Sequence, residues 1–94
     1  AGLREPAVEL WSSDGALSMS IATTLPALQF YGGQHLQGIP SRHGGEYANC
    51  TGIALEPQFL PDSPNHPEWP QPSCWLQPGE VWVHRIRYVF KAMR

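Results

Sequence analysis

Apolar and polar side chains alternate along the first quarter of the chain in the pattern of a β-hairpin. Over residues 17–23, Leu17, Met19 and Ile21 fall on one side, and two serines and an alanine fall on the other. A period of two residues is typical of a strand with one buried face. An Asp-Gly turn separates this run from a shorter one at 8–11, so the sequence predicts a hairpin whose apolar side faces a core.

Two later runs place a polar side chain on the opposite side of a strand from its apolar neighbours. Residues 27–31 and 51–56 are the predicted strands. Gln29 in the first strand and Glu56 in the second point away from the predicted core, because successive side chains alternate between faces. The predicted core-facing residues are Leu28 and Phe30 in the first strand, and Ile53 and Leu55 in the second.

The rest of the sequence predicts one more strand and two irregular segments. Residues 81–90 form the last predicted strand, and His84 on its aromatic face is expected to be packed and hydrogen-bonded. Residues 32–49 lack sustained periodicity and are predicted to form a long loop. Seven prolines in 57–79 disfavour both a helix and a central strand there. An all-β chain with long, ordered loops follows.

Length and charge limit the chain to one small domain, residues 1–94, and exclude two classes of partner. The 94 residues carry a net charge of −2, from six basic and eight acidic side chains. Binding to phosphates or anionic lipid headgroups depends on a basic excess, so neither nucleic acid nor a membrane surface is an expected partner. No apolar run approaches the roughly 20 residues of a membrane helix.

The cysteines and the first residues bear on the origin of the chain. It begins without Met and without the apolar stretch of a signal peptide, so we expect a fragment or a processed product. Cys50 and Cys74 are too few for a disulfide framework, which favours reduced thiols in a cytoplasmic protein. A small secreted domain with a Cys50–Cys74 disulfide is the alternative.

Glu56 is the strongest candidate for acid–base chemistry. Its carboxylate ends an apolar strand between Leu55 and Pro57, where partial shielding from water is expected to make it a better proton acceptor. The alternative is a solvated or ion-paired glutamate with only a structural role, which is common at strand ends.

The other chemistry-bearing residues predict no further catalytic site. The four histidines and two cysteines lack the short spacing of metal ligands, so no metal site is expected. Trp69 and Trp75 either stack on a sugar ring or pack the proline-rich segment. The turn formers at 62–65 are expected to be architectural.

Three motifs occur in the order, and close to the spacing, of one enzyme family. They are Thr-Leu-Pro-Ala-Leu-Gln-Phe-Tyr-x-Gly at 24–33, Leu-Glu-Pro-Gln-Phe-Leu-Pro-Asp-Ser-Pro-Asn-His-Pro at 55–67, and Leu-Gln-Pro-Gly-Glu at 76–80. Together they resemble the C-terminal portion of the aldose 1-epimerases, also called galactose mutarotases, and most of all the enterobacterial members. The resemblance extends over about residues 8–90.

The resemblance implies a fold, an activity and two site residues. The implied fold is a large antiparallel β-sandwich, the galactose mutarotase-like supersandwich, of which this chain is the C-terminal part. The implied activity is isomerisation: the α and β anomers of free aldohexoses such as galactose and glucose are interconverted by general acid–base ring opening, without a cofactor. Glu56 occupies the position of the catalytic base, and Gln29 that of a residue that contacts the sugar.

Two departures from the family pattern qualify these expectations. His35 stands where the family usually has an asparagine. The family's acid histidine and several sugar-binding residues belong to upstream segments that are absent from this sequence, so the missing N-terminal part of the polypeptide is an expected partner. The alternative function, from a different class, is a non-catalytic carbohydrate-binding or structural β module.

Overall fold

The computed structural model describes Leu3 and residues 5–92. Regular structure in this part of the chain is antiparallel β-strand, apart from one turn of 3-10 helix at Ser63–Asn65. This confirms the predicted all-β class. The strands are β1 (Val8–Trp11), β2 (Leu17–Thr23), β3 (Ala27–Tyr31), β4 (Ala54–Gln58) and β5 (Ile86–Ala92).

The first sheet has three strands in the order β1-β2-β5, and the predicted hairpin forms its first half. The turn between β1 and β2 is closed by side chains as well as backbone. The Asp14 carboxylate accepts hydrogen bonds from the Ser12 hydroxyl at 2.7 Å and the Ala16 N–H at 2.9 Å. These bonds, the Ser12 bond foremost, hold the pKa of Asp14 below its usual range. Gly15 adopts the positive φ of 72° that such a turn requires.

The last strand is displaced towards the C-terminus from its predicted range of 81–90. β5 begins at Ile86, opposite Thr23, and continues to Ala92, opposite Leu17. Residues 81–85 form no ladder because β2 ends at Thr23, which leaves no partner strand beside them. The partner's length therefore decided where this strand begins, and alternation within 81–90 could not show it.

The second sheet consists of β3 and β4. β3 has the predicted bounds. β4 begins three residues after the predicted start at 51, ends two residues after the predicted end at 56, and includes Pro57. Proline is tolerated because β4 has a partner on only one side among the described residues, so a missing N–H breaks no central ladder. The expectation that 57–79 contains no helix is also wrong at one place, the 3-10 turn that has Pro64 in its first positions.

A half-buried histidine joins the two sheets. His84 lies just before β5, and its Nδ1 is 3.0 Å from the hydroxyl of Thr24, which follows β2. The His84 ring packs against Phe59, which follows β4, with ring centroids 5.8 Å apart, and against Trp82 at 4.5 Å. The Thr24 hydroxyl also accepts the Arg85 N–H at 2.9 Å. The prediction that His84 is packed and hydrogen-bonded is confirmed.

The chain encloses very little core. Ile21 and Ala22 are the only buried apolar side chains among the described residues. Leu17, Phe30 and Ile53, all predicted to face a core, are 50%, 55% and 56% exposed, so those predictions are wrong. The accessible surface of 7368 Å² exceeds the roughly 5,400 Å² of a compact protein of this mass, and the 16.9 Å radius of gyration exceeds the usual value of about 12 Å.

The structure also bears on the membrane helix and the disulfide considered from the sequence. No helix among the described residues has the length and apolar character needed to cross a membrane. Cys50 and Cys74 are both free thiols, so the alternative of a disulfide between them is not found.

We expect the isolated 94-residue chain to be poorly stable and to aggregate. Its strand edges and its wide apolar surface are open to pairing with other chains, and two buried side chains give little stabilisation. Circular dichroism during heating, combined with light scattering, measures both properties. A sharp, reversible two-state transition of a monomer would contradict this expectation.

Candidate functional site

The two residues singled out in the sequence lie directly opposite each other across the second sheet. Gln29 in β3 pairs with Glu56 in β4, in the middle of a five-residue antiparallel register. Directly opposite side chains in such a pair emerge on the same face, with Cβ atoms about 5 Å apart. The fold thus brings together an amide and a carboxylate that are 27 positions apart in the sequence.

Both side chains are exposed, and the face they occupy is open. The Gln29 Nε2 donates to the carbonyl oxygen of the adjacent Phe30 at 3.1 Å. Leu55 and Pro57 on either side of Glu56 are half-buried, yet Glu56 itself is exposed. The expected shielding of Glu56 from water is therefore wrong for the described residues. A two-stranded sheet offers no second layer above this face, and alternation could not show that.

The loop that follows β3 is anchored at a glycine. Gly33 is buried, has a φ of 77°, and its carbonyl oxygen accepts the Cys50 N–H at 2.7 Å. A Cβ at Gly33 would lie 2.5 Å from the Gly52 carbonyl oxygen. Close approach of two backbones at this point therefore holds residues 50–52 beside the end of β3 where Tyr31 pairs with Ala54.

The other end of the sheet is held by a glutamine that the sequence did not single out. The Gln71 Oε1 accepts the Leu60 N–H at 3.3 Å, and its Nε2 donates to the Ser63 hydroxyl at 2.7 Å. The Ser63 hydroxyl in turn donates to the Leu60 carbonyl oxygen. Ser63 is buried, and these bonds satisfy it. The proline-rich segment thus folds back onto the residues that follow β4; no local pattern indicates this long-range tie.

A histidine bound by two carboxylates lies on the same segment. The His66 Nε2 is 3.0 Å from an Asp62 oxygen, and its Nδ1 is 3.0 Å from a Glu68 oxygen. The hydrogen bond with Glu68, supported by that with Asp62, raises the pKa of His66 above its usual value despite the opposing effect of partial burial. The pKa of Glu68 is lowered, first by its own backbone N–H and then by His66. Asp62, one of the turn formers expected to be architectural, thus also binds the His66 ring.

The tryptophans of the proline-rich segment differ in their surroundings. Trp69 is half-buried and stacks on the His66 ring, with centroids 4.0 Å apart and planes within 5°. This supports the packing interpretation for Trp69. Trp75 is exposed, and it lines a cavity of about 250 Å³ together with Trp69 and seven other residues of 63–75. Neither Gln29 nor Glu56 borders that cavity.

Comparison with known proteins gives a consistent result. The family model described as Aldose 1-epimerase matches residues 2–89. The aldose 1-epimerase of Escherichia coli is 53% identical over 89 residues, and that of Haemophilus influenzae is 53% identical over 88 residues. These alignments cover 95% and 94% of this chain. The galactose mutarotase of Mus musculus is 37% identical over 73 residues, which is 77% of this chain.

The chain spans only about a quarter of the curated relatives it matches. The alignments cover 26% of the two bacterial enzymes and 21% of the mouse protein. No solved structure gives a significant match. The resemblance found in the motifs is confirmed over nearly the whole chain, including its likeness to an enterobacterial member.

Substitution of Gly33 by alanine is expected to destabilise the protein more than the same change at Gly38. Both glycines have positive φ, which costs an alanine about 1–2 kcal/mol. Only Gly33 also meets a backbone oxygen at 2.5 Å, whereas a Cβ at Gly38 meets nothing within 4 Å. Melting temperatures of the two variants, measured side by side, test the difference. Equal losses would show that residues 50–52 are not held against β3.

Proposed function

The chain belongs to the aldose 1-epimerase family, and we propose that the polypeptide to which it contributes interconverts the α and β anomers of free aldohexoses such as galactose and glucose. One observation carries this proposal: the antiparallel register of β3 and β4 places Gln29 and Glu56 side by side on one exposed face. These are the two residues that the family motifs assign to the substrate. The names of the relatives, aldose 1-epimerase and galactose mutarotase, support a monosaccharide substrate.

In this proposal Glu56 is the general base. Its carboxylate accepts the proton of the C1 hydroxyl while an acid donates a proton to the ring oxygen, and the bond between C1 and that oxygen breaks. The open-chain aldehyde rotates about its C1–C2 bond, and the proton transfers reverse as the ring closes on the other face of the carbonyl. Among the described residues, the Glu56 carboxylate makes no ion pair with a cation. It is therefore free to accept a proton, as a general base must.

Gln29 is proposed to orient the sugar by hydrogen bonds. A side-chain amide has two N–H donors and one carbonyl acceptor, so it can bind a hydroxyl group in either sense. The described bond to the Phe30 carbonyl oxygen occupies one of the two donors. The other N–H and the Oε1 atom have no partner among the described hydrogen bonds, so they are suited to a ring hydroxyl next to the reacting centre.

We propose that this chain is the C-terminal part of a single β-sandwich domain, and that the N-terminal part of the polypeptide is its main partner. Two observations support this view. The chain spans 26% of the length of its Escherichia coli relative, and many of its large apolar side chains are exposed. The N-terminal part would supply the acid histidine and cover the face of β3 and β4. A cytoplasmic location fits the two free thiols, and the negative net charge fits a protein that binds neither nucleic acid nor membranes.

Replacement of Glu56 by glutamine in the complete polypeptide is expected to slow anomerisation by at least about 10²-fold. The variant keeps the shape and the hydrogen-bonding reach of the side chain but removes its basicity, so sugar binding should largely survive. Polarimetry on freshly dissolved α-D-galactose and α-D-glucose measures the rate. Calorimetric titration with the same sugars measures the binding.

The matched control is Glu46→Gln, which neutralises an exposed carboxylate in the long loop. It should leave the rate unchanged. A near wild-type rate for Glu56→Gln would remove Glu56 from the mechanism. Sugar binding by a wild-type protein that does not accelerate anomerisation would instead favour the non-catalytic carbohydrate-binding module.

Replacement of Gln29 by alanine is expected to lower kcat/KM only several-fold. Gln29 transfers no proton in this proposal, and a neutral hydrogen bond contributes about 0.5–1.5 kcal/mol. The measurement is polarimetry per folded molecule, with the melting temperature recorded alongside, and with Gln37→Ala in the exposed loop as control. A lowered melting temperature with unchanged kinetics would give Gln29 a structural role instead.

A further inference from the structure

His66 contacts a carboxylate with each of its two ring nitrogens. Both ring nitrogens lie 3.0 Å from a carboxylate oxygen, of Asp62 on one side and of Glu68 on the other. A neutral imidazole carries one N–H, so one of the two carboxylates would then face a nitrogen lone pair. Only the imidazolium donates to both. The imidazolium form thus satisfies both contacts, in keeping with the raised pKa of His66.

We propose that His66, in its imidazolium form, is a positioning residue that closes the proline-rich segment onto the residues following β4. The bridge made by Asp62, His66 and Glu68 is called the carboxylate clamp below. Glu56 lies on the strand positioned in this way, and its role as catalytic base rests on the proposed function. The clamp itself rests only on the contacts described.

The clamp lies in a segment whose first residues are held by hydrogen bonds just after the end of β4. Leu60 follows the strand by two residues, and its N–H and carbonyl oxygen are held by Gln71 and Ser63 respectively. Asp62 lies between these ties, in a left-handed conformation with a φ of 66°. Its other carboxylate oxygen accepts the Asn65 side-chain amide at 2.6 Å. Release of His66 would therefore free Asp62 from one of its two side-chain contacts, next to the tie at Leu60.

The groups that face His66 determine how the clamp responds to pH. Asp62 and Glu68 are the carboxylates in contact with it, the Trp69 indole covers one ring face, and the thiol of Cys74 lines the same cavity. Loss of the imidazolium proton removes one hydrogen bond and both ionic attractions. The tie through Gln71 involves no titratable group, so it persists over the same pH range.

The direction of the pH dependence follows from the raised pKa of His66. The folded protein binds this proton more tightly than the unfolded chain, whose histidine has the ordinary value of 6.5. The contribution of the clamp to stability is therefore fully present below pH 6.5. It is lost as the pH rises through the folded-state value, which lies above 6.5.

The test uses the complete polypeptide and two substitutions with opposite effects. His66→Arg keeps a cation that can bind both carboxylates at any pH of interest, because guanidinium stays protonated. His66→Gln removes the charge at every pH. His43→Gln, at an exposed histidine of the long loop, is the matched control.

Two spectroscopic signals report the clamp. The carbon-bound ring proton of His66, followed by NMR and assigned from its absence in the variants, is expected to titrate with a midpoint above 6.5. The fluorescence of Trp69, isolated as the difference from a Trp69→Phe variant, is expected to rise over the same range because a stacked imidazolium quenches indole emission. A midpoint at or below 6.5, or a constant Trp69 signal, would overturn the clamp.

Anomerisation kinetics test the positioning role. The ratio of kcat for His66→Arg to that for the wild type cancels the titration of the reacting groups. It is expected to rise with pH across the His66 transition by up to about fivefold, as for an exposed ion pair. The ratio for His43→Gln should be flat. A flat His66→Arg ratio in a protein whose clamp titrates would overturn the positioning role. A wild-type polypeptide that does not accelerate anomerisation would instead overturn the proposed function, and it would leave the spectroscopic result unaffected.

Discussion

The antiparallel register of β3 and β4 is the constraint on which the candidate site depends. It sets Gln29 opposite Glu56, and a slip of one residue would turn every side chain of one strand to the other face. Two features hold it from opposite ends. Gly33 lets residues 50–52 approach the end of β3, and Gln71 ties down the backbone at Leu60 beyond the end of β4. A short two-stranded sheet, which is marginal by itself, is thereby given defined ends.

The apolar surface of the two sheets is largely exposed among the described residues. Sixty or so residues outside the strands cannot cover two small sheets, and only Ile21 and Ala22 are buried among the described apolar side chains. The link through Thr24 and His84 aligns the sheets at one point without enclosing a core. The chain spans 26% of its bacterial relatives, and in the function proposed above this exposed surface packs on the rest of the polypeptide.

The proline-rich segment shows how a chain without a ladder can still be ordered. Prolines restrict the unfolded chain and so lower the entropy lost on ordering it. The remaining order comes from side chains: the Gln71 amide, the buried Ser63 hydroxyl and the ring of His66. The contacts of His66 depend on its charge, whereas those of Gln71 and Ser63 are between neutral groups. A change in the protonation of His66 can therefore alter the segment without disordering all of it. That difference gives the carboxylate clamp its proposed role beside the strand of Glu56.

Much of the local structure was determined by the sequence itself. Alternation and an Asp-Gly turn indicated the first hairpin, β3 had its predicted bounds, and the motifs identified the family. The same motifs supplied Gln29 and Glu56 as the candidate residues of the proposed site. The tertiary structure alone decided the bounds of β4 and β5, the exposure of Phe30, and the ties through Gln71 and His66. Alternation is a property of one strand and reports which side chains share a face. What covers that face, and where a ladder stops, depends on a partner that is distant in sequence.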